Sequence, residues 1–167
     1  MKIKCEINGQ VCDLPDFLIE FYTESQLLYC STISKDRSPH VQPTLFINES
    51  NKCSIIFLAN SQSLMVKNLY QNNKTSLTID KIHPRNPFLN KGIMIEAISH
   101  INSSKDAIEE ILTEFERKYT FEAISKILGI DIANQCVKIR ALPRKIIYWE
   151  GPSFHRFKCG KQNSANA

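Results

Sequence analysis

Residues 60–72, NSQSLMVKNLYQN, combine a polar loop, a serine and a lysine four positions apart, and the start of a helical pattern. Ser63 stands where a helix N-cap belongs, and the first N–H groups of a helix have no intrahelical acceptor. Those donors and the helix dipole favour an anion at that end. Lys67 shares a face with Ser63, and helical side chains lean toward the N-terminus, so its ammonium reaches the same spot. The chemistry on offer is the binding of a phosphate. The alternative is an ordinary helix start carrying a solvated lysine.

The elements that must position this loop are mostly strands. DLPDFLIEFYTES opens with a proline-led helix start, with Phe17, Leu18, Phe21 and Tyr22 at helical spacing. Strand-like runs follow: LLYCSTIS, VQPTLFIN, SIIFLA, TSLTID, GIMIEAISHIN, CVKIRAL and KIIYWE, separated by turn residues such as KDRSP and NESNK. Short connections between the first three predict an antiparallel meander. Pro43 cannot donate to a ladder, which places its strand at an edge or a bulge. Ser103 and Asp106 form a capping box for a helix whose buried face is Ile108, Ile111, Leu112 and Phe115. A second helix, TFEAISKIL, runs to Gly129, and the tail GKQNSANA is polar. Hairpin-linked strands with a few peripheral helices predict a mainly β, six- to seven-stranded antiparallel barrel in one domain over residues 1–158, with a flexible tail over 159–167.

Composition narrows the class. A chain of 167 residues, 43% hydrophobic and 23% charged, is ordinary for a globular domain. No apolar run reaches bilayer length, and the start MKIKCEINGQ is polar, so a cytoplasmic protein without a membrane partner is expected. The six cysteines lie scattered, with no zinc-ligand spacing, and are expected to be thiols; Cys30 and Cys53 fall in apolar runs, where a thiol acts as a small hydrophobe. With five glycines there is neither a dinucleotide-binding nor a P-loop glycine motif. From Ala133 onward seven Lys or Arg face one acid, Glu150. That imbalance points to an anionic partner, a phosphorylated cofactor or nucleic acid, or else to a solvated surface.

The order of segments resembles the pyridoxamine 5′-phosphate oxidase-like FMN-binding split barrels, over roughly Phe17 to Arg156. The matching pieces are SPHVQPTLF, FLANSQSLMVKNLYQNNKTSLTID, KGIMIEAISHI and RKIIYWEGPSFHRF, in that order. The resemblance implies a homodimer with FMN at the subunit interface, acting as an oxidoreductase on a small substrate or with a nicotinamide donor. It implies that His40, Gln42, Pro43 and Thr44 lie beside the isoalloxazine ring. Ala59, Asn60, Ser63 and Lys67 would surround the ribityl phosphate, Lys91 would either reach in from the other subunit or be a solvated loop charge, and Trp149 would flank the flavin or close the barrel core.

Two departures qualify that picture. Relatives carry a basic pair directly after the loop serine, where this chain has Leu64 and Met65, so charge-assisted bonds to phosphate are lost. True pyridoxamine phosphate oxidases follow a Trp with an Arg-x-His arrangement whose spacing Trp149 to Arg156 does not keep, so vitamin B6 oxidation is not expected. The alternatives are a deazaflavin cofactor in the same groove, a non-catalytic flavin or haem module, and, more weakly, RNA binding through the basic third. His83, in the proline-locked loop HPRNPF, and His100, on a strand, are secondary candidates, and no metal set is legible.

Overall fold

The computed structural model describes residues 3–7, 10–14, 16–49, 53–128 and 135–158. A hairpin of β1 (Ile3–Ile7) and β2 (Gln10–Leu14) leads into helix α1 (Asp16–Glu24). Strands β3 (Leu28–Ile33), β4 (Pro39–Thr44), β5 (Phe46–Asn48) and β6 (Ile55–Asn60) precede helix α2 (Leu64–Gln71). Strands β7 (Lys74–Lys81) and β8 (Lys91–Asn102), helices α3 (Lys105–Lys118) and α4 (Phe121–Leu128), and strands β9 (Cys136–Glu150) and β10 (Ser153–Lys158) complete the order.

The main sheet runs β4-β3-β7-β8-β9-β6-β5, with β10 on β9, and its described pairings are antiparallel. Its two ends, β4 and β5, are one chain segment interrupted only at Leu45. The segment therefore curls the sheet back on itself, and Thr44 Oγ1 donates to Leu58 O across the closure at 3.2 Å. The result is a split β-barrel. The sheet has eight strands, not six or seven, because VQPTLFIN divides at Leu45 and SFHRFK adds a final hairpin. In the other direction, CVKIRAL and KIIYWE fuse into the 15-residue β9. Pro143 is tolerated inside it because β6 begins opposite Ala141 and β10 ends opposite Lys145, so neither pairs with it, and the β8 ladder slips at the same point.

Apolar side chains fill two compartments. Inside the barrel, Leu18, Phe21 and Tyr22 from α1 and Met65, Val66 and Leu69 from α2 pack on Phe46, Ile55, Phe57, Leu77, Ile93, Ile95 and Ile146. Outside it, Ile108, Ile111 and Phe115 of α3 and Ile124 of α4 cover Leu45, Ile47, Ile56 and Leu58. The α3 face read from the sequence is the buried one, but its cap is Ser104, whose hydroxyl accepts from Ala107 N at 3.3 Å. Asn102 Oδ1 takes Ser104 N at 2.9 Å and so moves the helix start one residue past Ser103. Gly129 and the 159–167 tail lie outside the described residues.

The cysteines depart from expectation. Cys30 and Cys136 are free and buried, and burial pushes their thiols up to about 12 and about 11. Cys53, however, is disulfide-bonded. It sits in a bend just before β6 with 1% of its surface exposed, not within a strand. Scattered spacing says nothing about which distant sulfurs a fold brings together.

Candidate functional site

The loop after β6 is built by its own polar side chains. Asn60 Oδ1 accepts from Gln62 N at 2.8 Å, and Asn60 O accepts from Ser63 N at 3.0 Å, which turns the chain sharply. Ser63 caps α2: its hydroxyl accepts from Val66 N at 3.3 Å and its carbonyl from Lys67 N at 3.1 Å. The N–H groups of Leu64 and Met65, in the first turn, have no intrahelical acceptor. Lys67 is exposed, and among the described residues no carboxylate lies within ion-pair distance of it. The cap, the free donors and the cation therefore share one corner.

Helix α2 joins that corner to β3 and β4. On its buried face lies Asn68, 2% exposed, whose Nδ2 donates to Thr32 Oγ1 of β3 at 3.0 Å. Thr32 in turn stands 3.4 Å from Nδ1 of His40, its register partner on β4. His40, Gln42 and Thr44 alternate along the inner face of β4, opposite the buried Thr32, Cys30 and Leu28. Pro43 belongs to the other face, with Val41, and that outer face is exposed. As the terminal strand of the sheet path, β4 pairs with β3 on one side only, as Pro43 predicted.

The expected site residues divide into two groups. Ala59, Asn60, Ser63 and Lys67 lie together around the β6–α2 turn, with the Ala59 side chain buried in the core. His40, Gln42 and Thr44 are tied to α2 through Thr32 and Asn68. Lys91 and Trp149 are elsewhere in the chain. Lys91 opens β8 opposite Lys81, six residues along β7 from Thr75, which neighbours the Thr32 level. At about 3.3 Å per residue this is about 20 Å from His40 along the sheet. There Lys91 Nζ is 3.9 Å from Glu20, within a network in which Lys81 bridges Glu20 and Glu24. Trp149 lies on Gly92: a Cβ at Gly92 would meet the indole at 2.6 Å. Neither residue joins the α2 corner within one chain.

Thr32 and Asn68 are the residues the sequence reading missed. A signal existed for Asn68, a polar side chain spaced among Met65, Val66 and Leu69 on the apolar face of α2. Nothing in the sequence marks Thr32. His83 serves its own loop, Nδ1 accepting from Asn86 N at 3.0 Å, and His100 is exposed at the far end of β8. Three cations of the basic terminal third are paired in place. Lys138 pairs with Glu110, Arg140 with Glu49 and Lys145 with Glu96. That pairing leaves less free charge for a nucleic acid than the count implies. Among the described residues no helix is long and apolar enough to cross a membrane.

Barrel closure, inward-facing β4 and the capped turn after β6 together define a split β-barrel. A family model described as Pyridoxamine 5′-phosphate oxidase matches residues 14–142, and the chain belongs to that family. Similar folds include HutZ, a haem storage protein from Vibrio cholerae, with a TM-score of 0.61 and 19% identity over 78% of this chain and 89% of that one. A putative pyridoxamine 5′-phosphate oxidase from Listeria innocua gives 0.61 and 14% over 80% and 95%. A haem-binding protein from Mycobacterium smegmatis gives 0.64 and 8% over 87% and 59%. At these identities the likeness concerns the fold. No curated protein matches the sequence.

Proposed function

We propose that this chain binds FMN along β4 and at the α2 corner, as a homodimer, and acts as an oxidoreductase on a small substrate or with a nicotinamide donor. The observation that carries the reading is the corner itself: Ser63 capping α2, open N–H groups in the first turn, and Lys67 exposed beside them. Ser63 and Lys67 would hold the phosphate. The unpaired edge of β4 would offer backbone groups to the ring, with His40, Gln42 and Thr44 behind it. Bound flavin would supply the redox chemistry, and the protein would supply position and hydrogen bonds. The exposed outer face of β3 and β4, with Tyr29, Ile33 and Val41 at 41%, 45% and 57%, supports a second subunit seated there, which would bring Lys91 and Trp149 of the partner within range.

A second reading is a haem-binding module. Leu64 and Met65 at the start of α2 remove two cations that a phosphate would use, and two of the similar folds are haem proteins by name. A deazaflavin in the same groove is a further variant of the first reading.

A visible spectrum decides among these. FMN that co-elutes with the protein on gel filtration, and binds roughly ten- to a hundredfold more weakly after Lys67→Ala, is the expected result for loss of one charge-assisted bond. A chain that retains no FMN but develops a Soret band with hemin would establish the second reading, and uptake of deazaflavin alone would establish the variant.

A further inference from the structure

We infer that Thr32 and Asn68 fix the tautomer of His40, so that the groove offers an Nε2–H donor and selects a ligand with a hydrogen-bond acceptor, not a metal ion, at that point. The inference rests on the groove along β4 being a binding site, and its first measurement does not.

Thr32 and Asn68 are each 2% exposed, so the proton of the Thr32 hydroxyl needs an acceptor inside the protein. Asn68 cannot take it, because its Nδ2 already donates to Thr32 Oγ1 at 3.0 Å. The other hydrogen-bonding group of Thr32, among the described residues, is His40 Nδ1 at 3.4 Å. Thr32 therefore donates to Nδ1. A ring nitrogen that accepts carries no proton, and the proton of the neutral imidazole then sits on Nε2. Among the described residues no hydrogen-bond partner stands against Nε2, and His40 is half-buried.

The consequence is chemical selectivity. An Nε2–H can donate to a carbonyl oxygen, a carboxylate oxygen or an unprotonated ring nitrogen of a ligand. It cannot ligate iron, because its lone pair is delocalised and the position is occupied by the proton. Ligation through Nε2 would move the proton to Nδ1 and turn Thr32 into a double acceptor. The buried hydroxyl hydrogen would then have no partner, which disfavours that state by about tenfold or more. Thr32 and Asn68 are positioning residues: they act through His40. Because Asn68 lies on α2, the same bond fixes the helix that carries Lys67 against β3.

The test is long-range 15N–1H NMR of the full chain with imidazole-labelled histidine at pH 8.5, with the His40 signal among the four histidines assigned by loss in His40→Gln. The expected spectrum shows a protonated Nε2 and an unprotonated Nδ1. Thr32→Val should remove that preference, and Thr32→Ser should restore it. A protonated Nδ1 in the native chain, or a tautomer indifferent to Thr32→Val, would overturn the inference. Hemin provides the second arm: no iron–imidazole signature that depends on His40 is expected, and one that disappears in His40→Gln would overturn the proposal. Failure of FMN to bind while the tautomer is as stated would refute the flavin reading alone.

Discussion

The Tyr119 hydroxyl holds both backbone polar groups of Phe46. It accepts from Phe46 N at 3.2 Å and donates to Phe46 O at 2.7 Å, with Gln26 O sharing the proton at 3.0 Å. Phe46 begins β5, just after the Leu45 break that closes the barrel. One side chain at the end of α3 therefore secures the point at which β4 becomes β5, and burial holds its phenol up at about 12 against the opposing pull of the Phe46 hydrogen bond. Tyr119→Phe leaves the buried Phe46 N–H without its acceptor and should cost about 1–3 kcal/mol of unfolding free energy by urea titration. A loss below experimental error would mean that water or a shifted backbone replaces the hydroxyl.

Lys118, next in the chain, donates to Tyr22 O at 3.0 Å and Phe46 O at 3.2 Å and lies 4.0 Å from the centroid of the Phe46 ring. Burial lowers its ammonium from 10.5 to about 8. Between those values the unfolded chain keeps a proton that the folded chain has released, so stability due to Lys118 rises with pH through the window and is lowest below it. The stability of the native chain relative to Lys118→Met should therefore climb from pH 8 to pH 10.5. Parallel curves for the two proteins would show that this amine keeps its ordinary titration.

The outer face of β3 and β4 predicts an oligomer that depends on apolar contact. Val41→Lys together with Tyr29→Glu places charge on that face without touching the core, since both residues are exposed within one chain. Analytical ultracentrifugation should show a dimer for the native chain and a monomer for the double variant. Loss of FMN or hemin uptake should accompany the change if the partner completes the site. A native monomer would remove Lys91 and Trp149 from the site altogether.

Gly92 reports on the far end of the barrel. A methyl there would lie 2.6 Å from the Trp149 ring and 2.7 Å from Ile79 O, and the backbone oxygen cannot retreat without breaking the β7–β8 ladder. Gly92→Ala should cost about 1–3 kcal/mol and shift the fluorescence of this single tryptophan. An unchanged emission maximum and midpoint would place the indole elsewhere.

Much of the architecture is written in local patterns. Alternation of apolar residues identifies the strands, the spacing of Leu18, Phe21 and Tyr22 identifies α1, and Pro43 marks an edge strand, because these depend on side-chain period and backbone donors alone. Ser63 is legible as a cap for the same reason: capping involves residues three positions apart. The Leu45 break, the fusion of β9 and the Cys53 disulfide are tertiary decisions. They depend on where β6 begins, where β10 ends and which segments meet in space, and no window of sequence contains those facts. The site divides along the same line. NSQSLMVKNLYQN by itself determines a capped, cation-bearing corner, but the chain from Asn68 through Thr32 to His40 joins residues up to 36 positions apart. A buried hydroxyl with one acceptor left is a property of packing, and only the folded barrel creates it.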